Sequence, residues 1–329
     1  MSLLHDVNLL SASQLLVLGW GESSIYVGLR RLKRLHDAGY VDRFRPVRKV
    51  GSAEWNYRLS SRGWSTLKDQ GLRPSTAHYT PAAITSVSYT EHDLQVAALV
   101  LHIAREAARN RTQGLIGTMP FRWKGPRSGR IQINKPVTAA KSTVATLPRG
   151  TRLHPKRSRS GYLEPDATLI AQEDGGCWAV LIEYDRTDRP HKQVDRLRRY
   201  DRWLLDGWRE GEFAAHTTPP SVLFITEREQ PLRCLIETAD QTFSAWYGHQ
   251  HVGPREGTHP ARQSVMFTSR ERILAGEWMM RRAPRLPPAL REHPGICSPR
   301  PVLYDVPALF AVPPGAASSE TFSGRQAAS

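Results

Sequence analysis

Cysteine is scarce. The 329 residues hold three, Cys177, Cys234 and Cys297, with no C-x-x-C spacing among them. That excludes a disulfide framework and a zinc ribbon, and it suits a reducing cytoplasm. Long apolar runs are missing too. The longest, around Val96–Ile103, falls well short of the roughly 20 residues that a bilayer span needs, so no membrane partner is expected. The N-terminus lacks a basic leader and carries Asp6 early, so no secretory signal is expected. The twelve histidines form no H-E-x-x-H pattern, which disfavours a zinc hydrolase. No G-x-x-x-x-G-K-[ST] loop and no G-x-S-x-G elbow occur, which disfavours an ATPase and an elbow-type hydrolase.

Acid is the last thing lacking, and it is lacking locally. Lys and Arg number 46 against 31 Asp and Glu, a net charge of +15. Between Phe121 and Ser160 there is no Asp or Glu at all, while Arg122, Lys124, Arg127, Arg130, Lys135, Lys141, Arg149, Arg152, Lys156, Arg157 and Arg159 contribute +11. Gly, Pro, Ser and Thr are frequent there, so 121–160 reads as a long basic loop inserted in a domain. Such an arm tracks phosphates, and Arg127, Arg130, Lys156 and Arg157 are its candidate contacts. The plain alternative is a solvated linker with no fixed partner.

Residues 1–72 carry a compact pattern. Asn8–Leu10 reads as the start of a short helix, and Ser11 as the cap of a second over Ala12–Leu18. Ser23 or Ser24 then caps a third that runs to about Ala38. Ile25, Leu29, Leu32 and Leu35 lie at helical spacing and are expected to pack inward, with Arg30, Arg31, Lys33 and Arg34 off that stripe. Gly39 stops the helix. Strands over Tyr40–Phe44 and around Trp55–Leu59 flank a turn carrying Arg48 and Lys49, and Ser61–Gln70 closes with another helix. This order is that of a winged helix-turn-helix. The runs Leu29–Val41 and Tyr57–Gly63 resemble many bacterial winged-helix proteins. That resemblance implies that the third helix enters the major groove of double-stranded DNA and the basic turn acts as the wing. Ser24, Tyr26, Arg30, Arg31, Lys33, Arg34, Arg48 and Lys49 are the candidate contacts. A winged helix used for protein contacts is the competing reading.

Residues 73–90 read as a linker and 91–282 as an α/β domain. Glu91 to Asn110 forms a helix with a broad apolar face. Ala167–Ile170 and Trp178–Ile182 read as a strand hairpin, with Asp166 opening the first strand and Glu183 and Asp185 closing the second on one face. Converging carboxylates need a cation or a proton to compensate them. Further elements are a helix over Lys192–Leu205, a strand over Val222–Ile225, a helix over Leu232–Trp246 and a strand over Ser264–Thr268. The whole is a mixed α/β domain, α+β overall. Residues 283–329, rich in Pro, Ala and Ser, read as a disordered tail.

Pro165-Asp166 followed by Glu183-x-Asp185 is close to the restriction-endonuclease-like pattern. Joined to the N-terminal module, the chain resembles the actinobacterial replication-relaxation family. The resemblance is carried by Glu91-His92-Asp93-Leu94, Glu164–Ala167, Ile182–Thr187, Arg196 with Tyr200, and Pro220–Thr226, over roughly residues 7–280. It implies a cytoplasmic DNA-binding protein acting in plasmid or mobile-element replication. In an active nuclease, Asp166 and Glu183 would hold Mg²⁺, with Asp185 beside them as a third catalytic candidate. Asp185, however, stands where such nucleases place Lys, and a carboxylate cannot offset phosphate charge. The expectation is therefore a silent nuclease-like scaffold that uses no cofactor, its carboxylates paired with Arg186, Arg196 or Arg198. A Mg²⁺-dependent endonuclease is the alternative, with Arg186 or Lys192 replacing the missing Lys. A homodimer is an assembly that such a chain can form.

Overall fold

Asn8, at φ 68°, ends the first helix, α1 (Ser2–Val7), before the short helix that Asn8–Leu10 was expected to start. Leu10 and Ser11 form a strand instead, β1 (Leu10–Ser11). The computed structural model describes residues 1–19, 25–46, 51–73, 79, 87–109, 121–133, 161–173, 176–186, 193–205, 207–243, 261, 264–277, 279–281 and 303–305. In the next helix, α2 (Ala12–Gly19), the Gln14 N–H donates to Ser11 Oγ at 3.3 Å and the Ser11 N–H donates to Gln14 Oε1 at 2.9 Å. This reciprocal capping box satisfies two orphan donors at once. Helix α3 (Ile25–Asp37) stops at Gly39, φ 73°, where the Tyr40 N–H donates to Leu35 O at 2.9 Å. That is the bond pattern of a left-handed helix stop.

Helix α3 does not bury the stripe expected of it. Gly28 and Leu32 are buried and Leu35 is half-buried, but Ile25 and Leu29 are 46% and 39% exposed. The line turned inward is Gly28–Leu32–Leu35, which keeps the helical spacing but is rotated away from Ile25 and Leu29.

Strands β2 (Val41–Phe44) and β3 (Asn56–Leu59) are antiparallel, and β3 also pairs with β1, giving a three-stranded sheet in the order β1-β3-β2. Helix α4 (Ser61–Asp69) is capped by Ser60, whose Oγ accepts the Gly63 N–H at 3.0 Å.

The long helix α5 (Val87–Arg109) begins inside the stretch expected to be a linker. Strands β4 (Arg122–Lys124), β5 (Ile131–Gln132) and β6 (Tyr162–Leu163) follow. The basic loop is thus structured at its start. Phe121 and Trp123 are buried in the core and β4 pairs with the next strand of the central sheet. The alternation of Phe121 and Trp123 with Arg122 and Lys124 is the mark of a strand, masked in the sequence by the basic partners. Residues 134–160 lie outside the described residues.

The central sheet has seven strands in the order β12-β11-β10-β9-β8-β7-β4. Its members, besides β4, are β7 (Ala167–Glu173), β8 (Gly176–Asp185), β9 (Ser221–Thr226), β10 (Val265–Ser269), β11 (Met279–Arg281) and β12 (Leu303–Asp305). The β7–β8 hairpin is antiparallel, and β8, β9 and β10 run parallel. Parallel neighbours need crossovers, which are supplied by α6 (Val194–Leu205) and α7 (Glu229–Thr242). A short helix, α8 (Arg270–Leu274), follows β10. Strand β12 lies within the segment that composition assigned to a disordered tail; Leu303 and Tyr304 suit a strand, and they pair with β11.

Helices α6 and α7 cover one face of the sheet, where Leu197, Trp203 and Leu232 meet Leu181, Phe224 and Phe267. Helix α5 covers the other, and its apolar cluster runs without a break into the N-terminal elements through Leu4, Leu10, Leu32 and Trp64. The two parts of this mixed α/β chain therefore share one core. Polar ties reinforce the seam. Gln14 Nε2 donates to Leu94 O at 2.8 Å, and the Gly125 N–H donates to Asp6 O at 2.7 Å. Among the described residues, no helix is long and apolar enough to cross a membrane.

Candidate functional site

Two features stand out: a carboxylate cluster at the end of the β7–β8 hairpin, and cations on the N-terminal elements.

The hairpin register pairs Ala167 with Ile182, so Asp166 lies just before β7, level with Glu183 near the end of β8. Side chains alternate along a strand, so Glu183 and Asp185 face α6 while Tyr184 faces α5. Each carboxylate is already engaged. Asp166 Oδ2 accepts the Tyr184 N–H at 2.7 Å, and Asp166 Oδ1 lies 3.1 Å from His92 Nε2, which α5 supplies. Glu183 is almost fully buried; its Oε1 accepts the Tyr200 hydroxyl at 2.6 Å, and Arg196 Nη1 donates to its Oε2 at 2.7 Å. Asp185 Oδ2 accepts from Gln193 Nε2 at 2.7 Å. Gln193, immediately before α6, and Arg196 and Tyr200 within it are spaced i, i+3 and i+7, which turns all three to the strand ends.

Burial dominates the electrostatics. It pushes the Glu183 carboxyl up to about 8, against the pull of Arg196; the charge of Asp166 adds to the rise and the Tyr200 hydrogen bond opposes it. Burial likewise pushes Asp93, on α5, up to about 6, with His92 opposing and Asp166 adding. Burial lowers His92, but the hydrogen bond and charge of Asp166 outweigh it, so the imidazole ends above its ordinary value. Arg196 is held more firmly protonated, first by Glu183, against burial, and then by Asp166.

A divalent cation does not fit this arrangement. Mg²⁺ needs free, charged oxygens in near-octahedral array. Both oxygens of Asp166 and of Glu183 have partners, and a guanidinium already sits on Glu183. No group of three or more His, Cys, Asp or Glu among the described residues is placed to hold a metal ion. Of the three arginines expected as partners, Arg196 pairs with Glu183. Arg186 pairs with Glu91 at 2.9 Å, and Arg198 stands 4.0 Å from Asp195. Lys192 lies outside the described residues. The sequence reading missed the roles of His92, Gln193 and Tyr200. The helical spacing of Gln193, Arg196 and Tyr200 was the signal for two of them.

On the N-terminal elements, Tyr26 is 89% exposed, and Arg30, Arg31, Lys33 and Arg34 are exposed beside it along α3. Lys33 pairs with Asp37 at 2.6 Å; Arg30, Arg31 and Arg34 have no ion pair among the described residues. Arg127 is exposed, and its charge reaches Asp93. Arg130 pairs with Glu164 at 2.9 Å and lies over the Tyr162 ring at 3.8 Å, so it is engaged within the protein. Ser24, Arg48, Lys49, Lys156 and Arg157 lie outside the described residues. The sequence reading overlooked Arg43 and Arg45, whose guanidinium carbons lie 4.4 and 4.2 Å from the centroid of the Trp55 ring.

Residues 1–214 match the family model described as Replication-relaxation. No curated protein matches the sequence. Among solved structures, the chain is similar to the restriction endonuclease FokI bound to DNA, at 12% identity and a TM-score of 0.23. That match covers 82% of this chain and 41% of the FokI chain, so this chain spans less than half of that enzyme's length. So slight a likeness carries no statement about the site.

Proposed function

The chain belongs to the replication-relaxation family, and from that premise we propose that it is a cytoplasmic DNA-binding protein acting in plasmid or mobile-element replication. The observation that carries the reading is the exposed cationic face of α3, where Arg30, Arg31 and Arg34 have no internal counter-ion among the described residues. In this reading the N-terminal module is a winged helix. Helix α3 enters the major groove, where Arg fixes phosphates or reads guanine edges and Tyr26 meets the bases or sugars. The acid-free stretch around 134–160 adds affinity that does not depend on sequence. A homodimer would present α3 twice and favour a two-fold site.

The α/β domain is a nuclease-like scaffold that does not cut. Its carboxylates are satisfied by Arg196, Tyr200, His92 and Gln193, and they serve to tie α5, the β7–β8 hairpin and α6 together.

A second reading has its own observation. Ile25, Tyr26 and Leu29 are exposed together on the first turns of α3, with Val27 exposed on the other side, and apolar surface of this kind suits a protein partner. Titration of labelled duplex DNA over a range of salt separates the two. The DNA reading expects tight binding at low salt that weakens steeply as salt rises, and a much shallower slope in the Arg30→Gln/Arg31→Gln/Arg34→Gln variant. Binding that is absent, or indifferent to both salt and these arginines, leaves the protein-contact reading.

A further inference from the structure

We propose that Arg43, Arg45 and Trp55 form a clamp for the phosphodiester groups of duplex DNA, a contact separate from α3. This inference rests on the DNA-binding reading. Arg43 and Arg45 are two residues apart, so they lie on the same side of an extended chain. The pairing of Phe44 with Asn56 puts Trp55 level with Arg45 across the hairpin. Both guanidinium groups lie over the one indole ring, at 4.4 and 4.2 Å from its centroid. Stacking of this kind is attractive, and it fixes the guanidinium planes while leaving their N–H edges able to donate. An oriented guanidinium edge matches two phosphate oxygens at once.

The pair lacks an internal anion. Two cations on one ring repel each other, and among the described residues neither has a carboxylate partner. The acids nearest in the hairpin are committed elsewhere. Asp42 Oδ2 accepts from Arg58 at 3.1 Å. The Glu54 carboxylate accepts the Ser13 N–H, and its Oε2 accepts the Ser13 hydroxyl at 3.1 Å, at the start of α2. Residues 43–53 hold no Asp or Glu, while Arg48 and Lys49 extend the cationic run. Among the described residues no anion answers the pair, which leaves its guanidinium edges open to one from outside. Arg43 and Arg45 are spaced about 6.6 Å apart along the strand. One strand of a duplex carries a phosphate about every 3.4 Å of axis and so offers about two within that span.

The test uses the full chain and labelled duplex DNA, with affinity measured against salt. Replacing both residues, Arg43→Gln/Arg45→Gln, is expected to reduce the slope of log affinity against log salt by about 1.8, the loss of two phosphate contacts, and to weaken binding by tens of fold at about 0.1 M salt. Arg43→Lys/Arg45→Lys keeps the charge and loses the oriented edges. It is expected to hold the wild-type slope and to bind several-fold more weakly. The lysine variant also covers the case in which the glutamine variant does not fold. The clamp is overturned, and the DNA reading kept, if the glutamine variant retains the wild-type slope and affinity while the α3 arginine variant loses both. It is equally overturned if the lysine variant binds as tightly as wild type. A wild-type chain that fails to bind duplex at low salt takes down both.

Discussion

Arg196 donates to Glu183 from 2.7 Å, so the most buried carboxylate at the hairpin end has a guanidinium for its counter-ion. The Tyr200 hydroxyl takes the other oxygen, and all three groups are held by two elements, β8 and α6. A guanidinium cannot leave as a metal ion can. The guanidinium becomes a full counter-ion once that carboxyl ionises.

The pair sets a stability prediction that depends on pH. Near pH 6 the Glu183 carboxyl, pushed up to about 8, holds its proton. Arg196→Met then removes one hydrogen bond to a charged group, about 1.5–3 kcal/mol. Above pH 8 the same substitution leaves a buried carboxylate uncompensated, and the loss grows toward about 3–5 kcal/mol. Denaturant melts of wild type and Arg196→Met at pH 6 and pH 9 measure the difference. An equal loss at both values would show that Arg196 packs there without serving as a counter-ion.

The α5 side of the cluster predicts a falling stability with rising pH. Asp93 is raised from 3.8 to about 6, so between those values the folded chain holds a proton that the unfolded chain has lost. That contribution, on the order of 3 kcal/mol, is complete below pH 4 and gone above about pH 6. His92 is raised above 6.5, so its imidazolium stabilises the fold at acid pH and that contribution is lost as pH passes its elevated value. Asp93→Asn should flatten the lower part of the profile and His92→Gln the upper part. Melting midpoints read across pH 4–8 decide it, and a profile unchanged by either substitution rejects the assignment.

The shared core makes Gly125 a sensitive position. A Cβ there would stand 2.8 Å from Asp6 O and 2.9 Å from Val7 Cα, both backbone atoms. Backbone cannot give way as a side-chain tip can, and the Gly125 N–H to Asp6 O bond, 2.7 Å, would be stretched as well. Gly125→Ala is expected to destabilise the chain by about 1–3 kcal/mol and to loosen α1 from β4. Limited proteolysis should then cut near residues 1–8 sooner than in wild type. Unchanged stability and cleavage would mean that α1 is not seated as described.

How much of this was legible in the sequence follows from which signals are local. The β7–β8 hairpin could be read because two apolar runs flank a Gly-Gly turn, and α3 ended at Gly39 as expected because a left-handed stop needs only one residue. Strand β4 was hidden because its alternating residues are Arg and Lys, whose charge reads as solvent even though Lys124 is buried against Glu212. The exposure of Ile25 and Leu29 was not legible either. Helical periodicity gives a face but not which side of it meets the core. The joint between the N-terminal elements and α5 depends on contacts such as Gln14 with Leu94, far apart in the chain, which no local pattern encodes. Within the site, Asp166, Glu183 and Asp185 could be named from their strand positions. Their partners could not be ranked, because Arg186 is the nearest arginine in sequence and yet the turn of α6 selects Arg196.

That selection leads to the prediction with the widest reach, which concerns cleavage. In sequence, Asp166, Glu183 and Asp185 resemble the restriction-endonuclease-like pattern with Asp185 in place of its Lys, yet the oxygens of Asp166 and Glu183 are occupied. Supercoiled plasmid incubated with the chain and Mg²⁺ or Mn²⁺ is therefore expected to stay intact. Asp185→Lys alone should not change this, because Arg196 would still cover Glu183. If wild type nicks the plasmid, and Asp166→Ala and Glu183→Ala each abolish the nicking, then the carboxylates must release Arg196 and His92 on binding metal and DNA. The silent-scaffold reading would then be wrong, whatever the fate of the α3 interface.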